Sequence, residues 1–295
     1  MNCSKAGRAV AEYSPLFGTT TATLDADGNA TAIAGPSSSA YSAALSYDAL
    51  NRLTSVADNG VRVAGFSYDQ ASRRLAASWG STSAIVATSA YGYTAASLVS
   101  SLAHNWSGSS LTLGYTYNND HQRSELTASD ASFLPSSLAV ATQGYTSNAL
   151  NQYTGAGTVT PSNDGRGNLT SDGVWTYAYD TENRLVSAAS GATSIAYAYD
   201  ALGRRKSKAV TSGATTTTTA WLSFGAQELA EYTGVGTVYF SRRFLYRAGL
   251  DEVLASVDSG AGTAAYRYTG RRYEPERRPS AFSVEVEASS AQKAP

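Results

Sequence analysis

The side chains that run most enzyme chemistry are scarce in this chain and poorly grouped. His104 and His121 are its only histidines, and Cys3 is its only cysteine. Two histidines can hold a metal or pass a proton. Neither has an acidic ligand cluster beside it, and His104 falls in a Ser/Gly-rich stretch read as a loop. Both are expected as surface or turn residues. Cys3 alone can form neither an intramolecular disulfide nor a multi-thiolate zinc site. Asp25-Ala26-Asp27-Gly28-Asn29 has a calcium-loop flavour, but the glycine comes too early and the closing glutamate is missing. Gly165-Arg166-Gly167 lacks the third glycine and the Lys-Ser/Thr of a phosphate loop. Arg267, Arg271, Arg272, Arg277 and Arg278 form a basic cluster tempered by Glu274 and Glu276, read as a solvated terminus. Asn29, Asn105 and Asn168 begin Asn-X-Ser/Thr triplets, which arise by chance in a Ser/Thr-rich chain. No catalytic residue, cofactor or metal is expected.

The carboxylates that do recur follow a pattern. Tyr47-Asp48-Ala49-Leu50-Asn51-Arg52-Leu53 matches Tyr68-Asp69-Gln70-Ala71-Ser72-Arg73-Arg74. It matches again at Tyr179-Asp180-Thr181-Glu182-Asn183-Arg184-Leu185 and at Tyr199-Asp200-Ala201-Leu202-Gly203-Arg204-Arg205. Weaker copies stand at Asp25–Asn29, Asn118, Asn148–Gln152 and Asp164–Asn168. An active site is seldom repeated along a chain, whereas a structural turn is. Asp48, Asp69, Asp164, Asp180 and Asp200 are therefore read as turn residues.

The pattern has a physical rationale. Alternation such as Thr176-Tyr177-Ala178-Tyr179 puts both tyrosines on one face of a strand and small residues on the other. The Asp carboxylate then accepts backbone N–H groups in a turn. Asn, Ser or Gly three residues on suits a left-handed backbone position. Arg52, Arg73, Arg184 and Arg204 start the returning strand, where each can pair with its Asp or lie over a neighbouring Tyr. The expected unit is a β-hairpin corner repeated about every 16 to 21 residues, giving roughly two dozen short strands. Thr215–Thr219 is expected as a strand, and residues 125–141 as a loop or short helix.

Composition agrees. The chain has 295 residues, 15% of them charged, with a formal net charge of −1. That charge gives no basic field for general nucleic-acid binding. Twenty Tyr against seven Phe, with abundant Ser and Thr, favour β structure. No apolar run is long enough for a membrane-spanning helix. The first residues have no apolar stretch typical of a secretion signal.

The Tyr-Asp-x-x-Asn/Gly-Arg-Leu units resemble the YD repeats of Rhs proteins, which are related to the C component of Tc toxins and to teneurins. The resemblance spans residues 20–275. Gly167-Asn168-Leu169-Thr170-Ser171-Asp172-Gly173, followed by Trp175, Tyr177, Tyr179 and Asp180, is similar to bacterial members. Phe244–Ala255 resembles the segment before the Rhs-associated core, and Tyr266-Arg267-Tyr268-Thr269-Gly270 resembles that core's start. The sequence then departs from the family at Glu276, so the family's self-cleavage site and toxin domain cannot be carried over.

The resemblance implies an all-β fold: an extended antiparallel YD-repeat sheet spiralling into a partial hollow shell. The expected parts are an N-terminal segment 1–20, a repeat sheet 21–265, the start of a truncated core 266–275 and a disordered tail 276–295. The implied role is a non-catalytic fragment of a toxin-encapsulation shell. Its implied partners are an effector polypeptide or the remaining shell segments, and its expected location is exported or at the cell surface of a bacterium. The second reading is a carbohydrate-binding β-repeat whose Trp79, Trp106, Trp175 and Trp221 stack on sugars.

Overall fold

The computed structural model describes residues 2–3, 9–36, 41–106, 108–134, 144–246, 252–259, 264–270 and 282–287. The first twelve strands are β1 (Asn2–Cys3), β2 (Ala9–Ser14), β3 (Gly18–Leu24), β4 (Ala30–Ala34), β5 (Ser42–Tyr47), β6 (Leu53–Asp58), β7 (Val61–Tyr68), β8 (Arg74–Gly80), β9 (Ile85–Tyr93), β10 (Val99–Trp106), β11 (Ser109–Tyr117) and β12 (Arg123–Ala128). A short pair follows, β13 (Tyr145–Ser147) and β14 (Tyr153–Ala156). The rest are β15 (Ser162–Asn163), β16 (Leu169–Ser171), β17 (Thr176–Tyr179), β18 (Leu185–Ser190), β19 (Thr193–Tyr199), β20 (Arg205–Ser212), β21 (Thr215–Phe224), β22 (Gln227–Val235), β23 (Tyr239–Tyr246), β24 (Val253–Ser259), β25 (Ala264–Gly270) and β26 (Phe282–Glu287). Outside the strands, a single 3-10 turn covers Ala131–Phe133 among the described residues, with the Asp130 carboxylate accepting from the Ser132 N–H.

The fold is all-β and meandering. Strand order equals sequence order in two twelve-stranded sheets, β1 to β12 and β15 to β26, with β13–β14 separate. Neighbours pair antiparallel, as in β5–β6 and β19–β20. The Thr215–Thr219 run opens β21, as its β-branched residues require. Tyr266, Tyr268 and Gly270 lie in β25, with Tyr268 opposite Ala255 and Gly270 opposite Phe282. Within the expected tail, Phe282–Glu287 forms β26 beside β25. The core-like residues Arg271–Pro275 lie outside the described residues.

Two compact units divide the chain. The first comprises Met1–Ser136, Ser223–Ala230 and Arg242–Pro295; the second comprises Ser137–Leu222 and Glu231–Ser241. In the first, large residues gather on one face. Leu45, Leu53, Val56, Val63, Phe66 and Trp79 bury themselves with Leu229, Leu245, Leu254 and Val257. Leu102, Leu111, Leu113 and Tyr115 form a smaller cluster. The other face is built from small residues, as in the cross-strand row Ser67, Ala76, Ala90, Ala103 and Thr112. The second unit has a small-residue face of the same kind. Thr176, Ala189, Ser194, Thr211 and Thr216 stand in one row, and Ala178, Ser187, Ala196, Ala209 and Thr218 in the next. Period-two alternation sorts the residues in this way, and antiparallel pairing keeps each strand in phase with its neighbour.

His104 corrects the loop expectation. It sits in β10, 3% exposed, with its Nδ1 2.6 Å from the Ser89 hydroxyl on β9. Leu102, His104 and Trp106 alternate along β10, and this period was hidden by the Ser and Gly around it. His121 lies in an exposed turn, in the left-handed conformation.

Candidate functional site: the repeated Tyr-Asp-Arg corner

The corner is built from five residues, numbered here from the Asp. At Asp48 the backbone N–H donates to the Arg52 carbonyl, and the Asn51 N–H donates back to the Asp48 carbonyl. The Asp48 Oδ1 accepts from the N–H groups of Leu50 and Arg52, each at 3.0 Å. Its Oδ2 accepts from Arg52 Nε at 2.7 Å. One carboxylate thus closes a three-residue loop and anchors the residue that starts the next strand. Position four turns the chain back and must be left-handed. Asn51, Ser72 and Asn183 adopt φ of 59°, 62° and 60°, and Gly203 adopts 77°. A one-residue bulge follows: Ser46 faces Ser55 and Tyr47 faces Leu53, leaving Thr54 extra.

The same construction holds Asp69, Asp180 and Asp200. Their Oδ2 atoms accept from Arg73, Arg184 and Arg204 Nε, each at 2.7 Å. Asp164 uses Asn168 instead, with the Nδ2 at 3.0 Å from Oδ2. Asp25 and Asn29, the stretch with calcium-loop flavour, make that same corner. Among the described residues no group of three His, Cys, Asp or Glu side chains is placed to hold a metal ion.

Neighbouring corners are joined. The Tyr68 hydroxyl, one hairpin on, donates to the Leu53 carbonyl at 2.8 Å. Tyr93 does so to Arg74 at 2.8 Å, Tyr199 to Leu185 at 2.7 Å and Tyr47 to Ala30 at 3.1 Å. In each case the acceptor is the residue that follows position five of the corner before. The guanidinium lies over that Tyr ring: Arg52 over Tyr68 at 4.8 Å, Arg73 over Tyr93 at 4.7 Å, and Arg184 over Tyr199 at 4.9 Å. Arg52 Nη1 also reaches the Asp69 carbonyl at 2.9 Å, and Arg73 Nη1 reaches the Ser97 hydroxyl at 3.2 Å. The sequence left pairing and stacking open as alternatives for Arg; the structure shows both at once. Tyr68→Phe keeps the ring under Arg52 and deletes only the bond to Leu53. It is expected to cost about 0.5–1.5 kcal/mol in urea denaturation.

One corner escaped the sequence reading. Thr94–Leu98 closes in the same way, with Ser97 left-handed and the Leu98 N–H donating to the Thr94 hydroxyl. Thr and Leu replace Asp and Arg there, so only Tyr93 and the spacing could have signalled it.

Positions one and five are matched by charge. Where position one is Asp, position five is Arg or Asn and donates. Where it is Asn, as at Asn118 and Asn148, position five is Gln. The Asn Nδ2 then donates to Gln Oε1, at 3.1 Å for Gln122 and 2.7 Å for Gln152. A carboxylate needs a donor opposite, whereas an amide needs an acceptor for its own N–H. Asn148→Asp alone is therefore expected to be tolerated, the Gln152 amide turning to donate as Asn168 does to Asp164, whereas Asn148→Asp with Gln152→Glu sets two carboxylates together and is expected to lower the thermal midpoint. Calorimetry of the two variants checks the order.

The tryptophans are divided in their exposure. Trp79 and Trp221 are buried, and Arg205 lies over the Trp221 ring at 4.3 Å. Trp106 and Trp175 are half-buried. Cys3 lies in β1.

No protein-family model matches the chain, and no curated protein matches it. Among solved structures it is similar to a chain of the crystal structure of TcdB2-TccC3-Cdc42, with 14% identity and a TM-score of 0.44. The match covers 90% of this chain and 18% of that one.

Proposed function

We propose that this chain is a wall segment of an Rhs-type toxin shell, a non-catalytic scaffold that contains or presents an effector polypeptide. The observation that carries the reading is the corner itself. A corner of Asp, a left-handed residue and Arg or Asn recurs from Asp25 to Asp200, and successive copies within a unit are bonded, as Arg52 is to the Asp69 carbonyl and Arg166 to the Asp180 carbonyl. Such a repeat extends a sheet and holds its register without supplying reacting groups. The large-residue and small-residue faces described for the first unit suit a thin wall.

The test is co-expression of the chain with an effector polypeptide fused to its C-terminus, followed by limited proteolysis. Under the scaffold reading the effector is cut far more slowly than the same effector alone. Equal cutting rates overturn containment. Mass spectrometry of the purified chain is expected to give the intact 30.8 kDa species; a shorter stable product would point to self-cleavage.

A further inference from the structure

The first unit carries a groove of about 840 Å³ that the corner array does not explain. It opens over the large-residue face of β3 to β7 and is lined by rings: Tyr41, Tyr47, Tyr68, Phe224 and Tyr246. A volume of this size falls in the range of small-molecule sites, which are mostly apolar with a few placed polar groups. One wall is the turn Phe224–Gln227. It is held by the Glu12 carboxylate, 8% exposed, which accepts the Gly225 N–H at 2.9 Å.

The chemistry of the lining selects a ligand class. The hydroxyls of Tyr41, Tyr47, Tyr68 and Tyr246 donate to the carbonyls of Phe244, Ala30, Leu53 and Glu228. These rings therefore present carbon surface to the groove. Arg52 is the charged member of the described lining, and Asp48 neutralises it while Tyr68 covers it. An ionic ligand would lose hydration without gaining a counter-charge. The polar end is Asn29, Asn51 and Ser72. Asn29 donates to the Asn51 Oδ1 at 2.9 Å, and the Asn51 Nδ2 donates to no described group.

We propose that this groove binds an uncharged amphipathic small molecule, with its aromatic or aliphatic body against the rings and a hydroxyl, carbonyl or arylamine near Asn51. Two dyes that share one ring system and differ by a sulfonate test it. N-phenyl-1-naphthylamine is neutral, and 1-anilinonaphthalene-8-sulfonate is an anion. Fluorescence titration is expected to show saturable binding of the neutral dye at one site per chain. The anion is expected to bind at least about tenfold more weakly, the penalty for desolvating its charge. Ala22→Phe, which fills the groove from β3, is expected to abolish the neutral dye's binding with an unchanged far-UV spectrum. Phe224→Ala, which removes one ring from the turn, is expected to weaken it and decides the matter should the first variant fold poorly. No saturable binding of the neutral dye, equal or tighter binding of the anion, or indifference to Phe224→Ala overturns the proposal.

Discussion

Asp58→Ala is expected to destabilise the first unit by about 3–5 kcal/mol, the usual cost of leaving one member of a buried ion pair alone. Asp58 is fully buried and Arg243 is 8% exposed. Arg243 Nε meets Asp58 Oδ1 at 3.0 Å, and Nη2 meets Oδ2 at 2.6 Å. The two residues are 185 positions apart, so the fork ties the end of β6 to β23. Burial, reinforced by the Asp58 charge, holds the neighbouring Tyr41 phenol well above its ordinary range. Its hydroxyl donates to the Phe244 carbonyl beside Arg243. The pair is therefore embedded and cannot be rehydrated cheaply. The double variant Asp58→Leu with Arg243→Met removes both charges and is expected to recover most of the loss, because desolvation nearly cancels the attraction of such pairs. Urea denaturation of wild type, single and double variants measures this. Equal loss in the single and double variants would refute the assignment.

Acid is the second large lever. The carboxyls of Asp25, Asp48, Asp69, Asp164, Asp180 and Asp200 all sit below the ordinary value of 3.8. At Asp48 and Asp180 the largest cause is the backbone N–H of the Arg at position five. At Asp25 and Asp164 it is the Asn side chain there. At Asp69 and Asp200 desolvation is the largest single influence and raises the value, but the bonds to Arg73 and Arg204 together outweigh it. A carboxyl more acidic in the folded chain than in the unfolded one stabilises the fold above its unfolded pKa. That contribution is lost as pH falls through the folded pKa. Stability is thus expected to hold from neutral pH down to about pH 5, then to fall steeply below about pH 4 as the six corners protonate. Converting Asp48, Asp69 and Asp180 to Asn with their arginines to Gln is expected to blunt the acid limb. A urea midpoint flat to about pH 2, or a fall centred above pH 5, would contradict the corner's electrostatics.

Much of this was legible because the determinants are local. The Asp, the left-handed residue and the Arg lie within five positions, so chemistry and spacing together spell out a turn. Tyr alternation likewise assigned the faces of the strands. What the sequence concealed depends on distance or on substitution. Asp58 and Arg243 belong to no repeat and meet only when strands far apart in sequence pack. His104 was masked by its polar neighbours, although it alternates with Leu102 and Trp106. The Thr94 corner keeps the geometry after losing both charged groups, since its backbone bonds and left-handed Ser97 suffice.

The meander also orders events in time. Each corner forms within five residues, and each strand of β2 to β12 pairs with the strand that precedes it in the chain. Closing such short loops is fast, and zippering can proceed hairpin by hairpin along the chain. Asp58 to Arg243, Glu12 to Gly225 and Tyr41 to Phe244 must wait for segments some two hundred residues apart to meet. The Asp58–Arg243 fork is therefore expected to close late, so that Asp58→Ala speeds unfolding more than it slows folding in stopped-flow kinetics.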